Sequence, residues 1–182
     1  MNRLLIIPLS ALALFSARAE MFKIDTSHAE IGFAARHLMV SNTKGQFNTF
    51  QGTIEYDPES RTLISAAGEI DAASIDTNNQ KRDDHLRGED FFNVSKFPKI
   101  TFKSTKIEKT GENTFEVTGL LNILGTDRTV ILPVTIHGPV EGKLIGIECS
   151  TTLNRRELGI SFAPASVIGD EVKISIDLEA AN

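Results

Sequence analysis

The sequence predicts an all-β fold with one short helical insertion, closed as an eight-stranded antiparallel β-barrel. Three observations predict it. From Phe22 onward, apolar residues recur with a period of two rather than 3.6 in segment after segment. Turn-forming residues punctuate those segments. No two segments are separated by the helical crossover that a parallel pair needs, except across residues 74–98, so neighbours should pair antiparallel. Closure removes exposed edges. A two-sheet sandwich satisfies the same strand count, and periodicity alone leaves both open.

Taken in order, Ala29, Ile31, Phe33 and Ala35 form one face of the first strand, with His28, Glu30, Gly32, Ala34 and Arg36 on the other. Phe50, Ile54 and Tyr56 alternate with Thr53 and Glu55 up to Asp57-Pro58-Glu59-Ser60, whose Pro suits the second position of a type I turn. The return strand, about 62–71, places Ile64, Ala66, Gly68 and Ile70 on one face and Leu63, Ser65, Ala67 and Glu69 on the other. After the insertion, 101–108 alternates again, and Lys109-Thr110-Gly111-Glu112-Asn113 breaks it. Phe115, Val117, Leu121 and Ile123 then share a face, as do Val130, Leu132, Val134 and Ile136 across Gly125-Thr126-Asp127, with Gly138-Pro139 as the expected stop and His137 as a loop residue. Strands over 143–153 and 172–180 complete the eight.

The N-terminus bounds location and partners. Arg3, an apolar run from Leu4 to Phe15 and Ala17-Arg18-Ala19 read as a secretory signal peptide over 1–19, leaving a single domain over 20–182. The run is too short for the roughly 20 residues of a membrane span. Glu20 rather than Cys follows the cleavage point, which excludes lipidation there. The whole chain carries a formal charge of −5; removing Arg3 and Arg18 leaves 17 basic residues against 24 acidic ones, or −7, which argues against a nucleic-acid partner. Cys149 stands alone among Ile145, Ile147 and Leu153, so it reads as a buried thiol without a disulfide partner.

The chemically dense segment is Arg82-Asp83-Asp84-His85-Leu86-Arg87-Gly88-Glu89-Asp90-Phe91-Phe92. Thr77 and Gly88 suit the start and stop of a short surface helix over an open barrel end. On it, Arg82 and His85 share a face at a spacing of three, and Lys81 joins His85 at four. One reading pairs Asp83 or Asp84 with Arg87 and packs Leu86 inward. Another has Arg82 and His85 donate to a polar headgroup while Phe91 and Phe92 line the lumen. A hydrolase centred on His85 and its carboxylates is the alternative function, yet it lacks a nucleophile motif: there is no Gly-x-Ser-x-Gly, phosphate loop or dinucleotide fingerprint, and Ser27 and His28 should point to opposite faces. A third reading is an interaction module with a solid core. His28, His37, His85 and His137 lack zinc spacing, so no metal is expected; His28 and His37, nine apart around Arg36, read first as ordinary hydrogen-bonded histidines, with a place at a barrel mouth as the alternative. Arg155 and Arg156 interrupt the last apolar alternation, where a charge pair should be solvated or close the mouth opposite the helix.

Several blocks carry a resemblance: Asp25-Thr26-Ser27-His28 with Phe33 and His37, Gly52-Thr53-Ile54 before Asp57-Pro58, and Thr77 with Arg82-Asp83-Asp84-His85-Leu86. Phe91-Phe92-Asn93-Val94, Phe97-Pro98-Lys99-Ile100-Thr101-Phe102, Gly119 to Gly125, Asn154-Arg155 and Leu158-Gly159-Ile160 extend it over the whole mature domain. By these the chain resembles the YceI-like family of secreted bacterial proteins. The resemblance implies a lipocalin-like barrel whose lumen holds a long lipophilic molecule, a polyisoprenoid such as a quinone tail or polyprenyl pyrophosphate, or a fatty amide. It implies a periplasmic, non-enzymatic carrier, with no cofactor beyond the bound lipid, a homodimer, and transient membrane contact for ligand exchange. The expected ligand-binding residues are Phe33, Arg36, His37, Phe47, Arg82, His85, Phe91, Phe92, Phe102, Leu121, Ile123 and Arg155.

Overall fold

In the computed structural model, residues 19–182 are described; the expected signal peptide falls on residues 1–18 and Ala19, so nearly all of it lies outside them. Ten strands follow in the order β1 (Glu20–His37), β2 (Ser41–Phe47), β3 (Phe50–Asp57), β4 (Thr62–Asp71), β5 (Ile75–Asp76), β6 (Lys99–Lys109), β7 (Thr114–Ile123), β8 (Thr126–Val140), β9 (Leu144–Asn154) and β10 (Ile168–Ala181), with helix α1 (Gln80–Arg87) between β5 and β6. All pair antiparallel, and β10 pairs with β1 to close the barrel.

Ten segments still make eight staves. β3 pairs with the start of β1 (Lys23 opposite Thr53) and β2 with its end (Ile31 opposite Phe47), so β2 and β3 are two halves of one long strand interrupted at Asn48-Thr49. β4 pairs with β3 and β5 with β2, so β4 and β5 form a second interrupted stave across the 3₁₀ turn Ala72–Ser74. The sequence masks β2 because Ser41-Asn42-Thr43-Lys44-Gly45-Gln46 carries almost no apolar residue; backbone ladder bonds pair it with β1, and Phe47 at its end packs against Phe33.

Register shifts interrupt the described strands at five places, and three of them bear on the expected alternation. Between Asp25 and Ala29 the β1 register slips by three residues against β10, so Phe22 and Ile24 face inward before the bulge and Ile31, Phe33 and Ala35 after it. In β4 the register shifts at Ile64: Leu63 is buried while Ile64 lies on the outside, so Leu63 replaces Ile64 in the expected row and Ala66, Gly68 and Ile70 keep their places. In β6 a third shift lies between Ser104 and Lys106. Gly138-Pro139 does not stop β8, which runs to Val140 with His137 inside it opposite Gly146.

The two ends of the barrel differ. At the end holding the β3–β4, β6–β7 and β8–β9 turns, Phe22, Tyr56, Phe115, Ile145 and Ala180 are almost wholly buried, and Phe22 meets Tyr56 edge to face at 6.3 Å. At the other end a second cluster of Ala72, Phe91, Ile100, Ile123 and Ile160 joins α1 and the 155–167 loop to the strand ends. One end is plugged by core packing, the other is covered by a lid.

Candidate functional site

Between plug and lid lies a cavity of about 490 Å³. Inward positions of every stave border it, among them Ile24, Ile31, Ile54, Ala66, Val117, Leu132, Val134, Ile147, Ile174 and Ile176. Each is the apolar half of a period-two strand, so the pattern that closes the barrel also lines its bore. None of the five plug residues borders the cavity, which makes it blind at that end.

Space for the bore depends on small residues opposite large ones. A Cβ on Gly119 would lie 2.4 Å from the Phe102 ring, and one on Gly45 would lie 2.5 Å from the Phe33 ring. Both glycines let an inward aromatic lie flat against the neighbouring strand. Phe33 continues this packing to Phe47 at 5.9 Å, and Phe47 to Phe92 at 5.8 Å, so an aromatic chain leads from the wall into the lid.

The lid is fixed by its polar residues. Asn79 caps α1 by accepting from the Arg82 amide, two residues after the expected start at Thr77, and Gly88 closes it. Thr77 serves the helix differently: its hydroxyl and amide donate to the buried Asp83 carboxylate at 2.5 and 2.9 Å. Arg82 in turn donates through Nε to the Thr77 hydroxyl and through Nη2 to its carbonyl. Arg87 pairs with Asp84 at 3.1 Å and donates to the carbonyls of Ala73 and Ile75, tying α1 to the β4–β5 stave. Leu86 turns toward the cavity.

His85 does not pair with Asp83 or Asp84. Its Nε2 lies 2.9 Å from Asp90, and its ring stands edge-on to Phe91 at 5.0 Å and Phe162 at 5.1 Å. Among its described hydrogen-bond partners there is no hydroxyl or thiol. Cys149, the free thiol, is buried in the wall, and burial pushes its pKa up to about 11. Among the described residues no cluster of His, Cys, Asp or Glu is arranged for a metal ion.

Arg155 overturns the expectation of a solvated charge. It is 4% exposed, and its guanidinium donates to the carbonyls of Gly169, Ile160, Phe162, Ala163 and Ile168 while pairing with Asp170 at 2.8 Å. Burial lowers its pKa, and Asp170 opposes that. Its donors are committed to the lid's own backbone, so only its flank meets the cavity. Arg156, half-exposed, braces the same loop through Asp170.

All twelve of the expected ligand-binding residues border the cavity: Phe33, Arg36, His37 and Phe47 from β1 and β2, Arg82, His85, Phe91 and Phe92 from the lid, Phe102, Leu121 and Ile123 from β6 and β7, and Arg155 from the facing loop. His28 is the ordinary hydrogen-bonded histidine of the first reading and not a mouth residue: it sits in the β1 bulge away from the cavity, where it and Ser27 both bond Asp25. Phe162 also borders the cavity but is not among the expected residues: Leu158, Ile160 and Phe162 alternate, yet they lie in the loop between β9 and β10 and not in a strand, so the pattern does not say which way they face.

A YceI-like domain model matches residues 22–180. The chain belongs to the YceI-like family. It is 35% identical over 172 residues to Protein YceI of Salmonella newport, covering 90% of this chain and 88% of that one. BcnA of Burkholderia cenocepacia has a crystal structure that superposes with a TM-score of 0.80 at 28% identity, covering 87% of this chain and 99% of that one. A polyisoprenoid binding domain from Saccharophagus degradans, implicated in plant cell wall breakdown, shares the fold at a TM-score of 0.70 and 14% identity, over 88% of this chain and 97% of that one. YceI-like barrels therefore account for the closed eight-stave architecture seen here.

Proposed function

We propose that this YceI-like protein is a periplasmic carrier that encloses one long lipophilic chain, a polyisoprenoid, an isoprenoid quinone tail or a fatty amide, in its lumen. The observation that carries this reading is the blind cavity of about 490 Å³, apolar through its depth and polar only near the lid. The polyisoprenoid binding domain of Saccharophagus degradans, which shares the fold, supports the ligand class.

The geometry favours entry tail first. The plugged end offers no polar partner, whereas Arg36, His37, Arg82 and His85 border the cavity at its lidded end, where a headgroup would rest. Burial of a CH₂ contributes about 0.8 kcal/mol, so ten such groups contribute about 8 kcal/mol. Association alone costs about 4–15 kcal/mol. Affinity therefore depends on burying most of the chain, and headgroup contacts orient rather than drive binding. Nothing in this cycle requires a covalent step or a resident cofactor.

Protein purified from its native host, extracted with organic solvent and weighed by native mass spectrometry, should release one apolar molecule per chain. Repeated absence of such a molecule, together with failure of the stripped protein to take up a polyprenyl alcohol, would overturn the reading. N-terminal sequencing of the exported form should begin at Glu20.

A further inference from the structure

At the lidded end the β1–β2 turn presents three consecutive exposed apolar residues, Leu38, Met39 and Val40, to solvent at 53, 63 and 81% exposure. Leu38 and Met39 both have positive φ, 48° and 58°, and the Val40 amide bonds the His37 carbonyl at 3.0 Å. Asn and Gly fill such positions at least cost, and aliphatic side chains are poor choices there. The conformation is nevertheless held firmly: the Leu38 amide donates to the Val167 carbonyl at 2.9 Å and Arg36 donates to the Met39 carbonyl at 3.2 Å. Arg36, His37 and Val167 all border the cavity, so the turn rises directly from the rim of its mouth.

Charge is placed beside it. Lys44 on β2 and Lys173 on β10 both stand opposite Ala34 in register, on the outer face that Arg36 shares, so three basic residues flank the turn on three adjacent strands. None of the three takes part in a described ion pair. Glu171 is the acidic neighbour on that face of β10; Glu30 and Asp177, opposite one another, lie four residues further from the turn. A locally basic surface on a chain of net charge −5 is complementary to an anionic partner.

We propose that the β1–β2 turn is a membrane-docking tip: Leu38, Met39 and Val40 enter the interfacial region of an anionic bilayer while Arg36, Lys44 and Lys173 contact its headgroups, seating the lumen mouth on the source of its ligand. This rests on the lipid-carrier reading. An apolar tip at a lumen mouth lets a lipid tail pass between bilayer and bore without crossing water, and the basic flank supplies attraction that salt weakens.

Flotation of the protein with phosphatidylcholine vesicles, with and without phosphatidylglycerol, tests it. The wild type should float with the anionic vesicles and be released by salt. Lys44→Gln and Lys173→Gln should each weaken binding about fivefold. Leu38→Asn with Met39→Asn, which suits the backbone there, should reduce it at least about tenfold. All variants should still take up a fluorescent fatty acid added from ethanol, since none lies in the bore. Wild type that takes up the probe but floats with neither vesicle would overturn the docking and leave the carrier reading intact; failure of uptake would sink the carrier reading itself. Tip variants that float like wild type would also overturn the proposal. So would variants that change only the sedimentation of a dimer, which would make the turn an interface between two copies.

Discussion

Replacing Arg155 with Met tests whether the lid is held by one buried guanidinium. The side chain is apolar enough to keep the flank that meets the cavity, but it removes every donor to Gly169, Ile160, Phe162, Ala163 and Ile168. Breaking a buried charged pair typically costs about 3–5 kcal/mol. Asp170 retains Arg156 at 2.7 Å and is not orphaned, and the loop carbonyls near the surface regain water, so the expected loss lies at the lower end, about 3 kcal/mol. For a domain of this size each kcal/mol lowers Tm by about 2–4 °C, giving a fall of about 6–12 °C by circular dichroism. Hydrogen exchange should quicken first at the amides of Leu158, Gly159 and Ile160, which close turns in the same loop. A bound lipid should leave faster. Arg155→Lys should recover only part of the loss, because three donors cannot serve five carbonyls. A Met variant within about 1 kcal/mol of wild type, with unchanged exchange in 155–168, would refute the assignment.

Three further outcomes follow from the same structure. Ala66→Trp places an indole in the mid-depth of the bore, so uptake of a polyprenyl alcohol should fall several-fold with little change in Tm; full uptake would mean the chain does not use that volume. Cys149, buried and with its pKa pushed up to about 11, should resist iodoacetamide at pH 8 in the folded protein and react on unfolding, a difference read by intact mass; rapid labelling of the native state would contradict the burial. Asp25 is lowered to about 2 by the hydrogen bonds of Ser27 and His28, and His28 is raised from 6.5 chiefly by its hydrogen bond to Asp25. The Asp25 contribution is fully present above pH 3.8 and lost as pH falls through about 2, whereas the His28 contribution is present below pH 6.5 and lost as pH rises through its raised value. An NMR titration should find the His28 shift greatly reduced in Asp25→Asn, with Glu179 at 4.0 Å maintaining a smaller upward one, and an unchanged His28 would show that the bulge does not couple them.

The parts of this molecule that could be read from its sequence are those fixed by one-dimensional repetition. Val130 to Ile136 and Val172 to Leu178 alternate without interruption, and both rows line the bore as their pattern requires. What escaped reading was set by pairing at a distance. Ile64 looks inward in its own strand and is turned out by a bulge defined only against Glu55 and Tyr56 on β3. β2 has no apolar row, and its existence depends on the free edge that β1 offers it. Charge and periodicity do not tell Arg155 from Arg156, and only the family resemblance singles out Arg155, because the five carbonyls that bury it come from residues 160–169 folded back over it.

The dense segment at 82–92 shows why charge in a sequence is a poor guide to chemistry. Its acids and bases spend themselves on one another and on local backbone: Asp83 on Thr77, Arg82 on Thr77, Arg87 on Asp84 and two carbonyls, His85 on Asp90. Each bond lowers the freedom of a short helix that has only eight residues and almost no apolar face to hold it down. What reaches the cavity from the same segment is chiefly Leu86, Phe91 and Phe92, with the edges of Arg82 and His85. A lid over an apolar bore must be rigid enough to exclude water and apolar on its underside, and polar residues that satisfy each other locally achieve the first without spoiling the second. On that logic a substitution at Asp83 should act on ligand release rather than on ligand choice, while one at Phe92, which contacts Phe47 at the wall, should act on both.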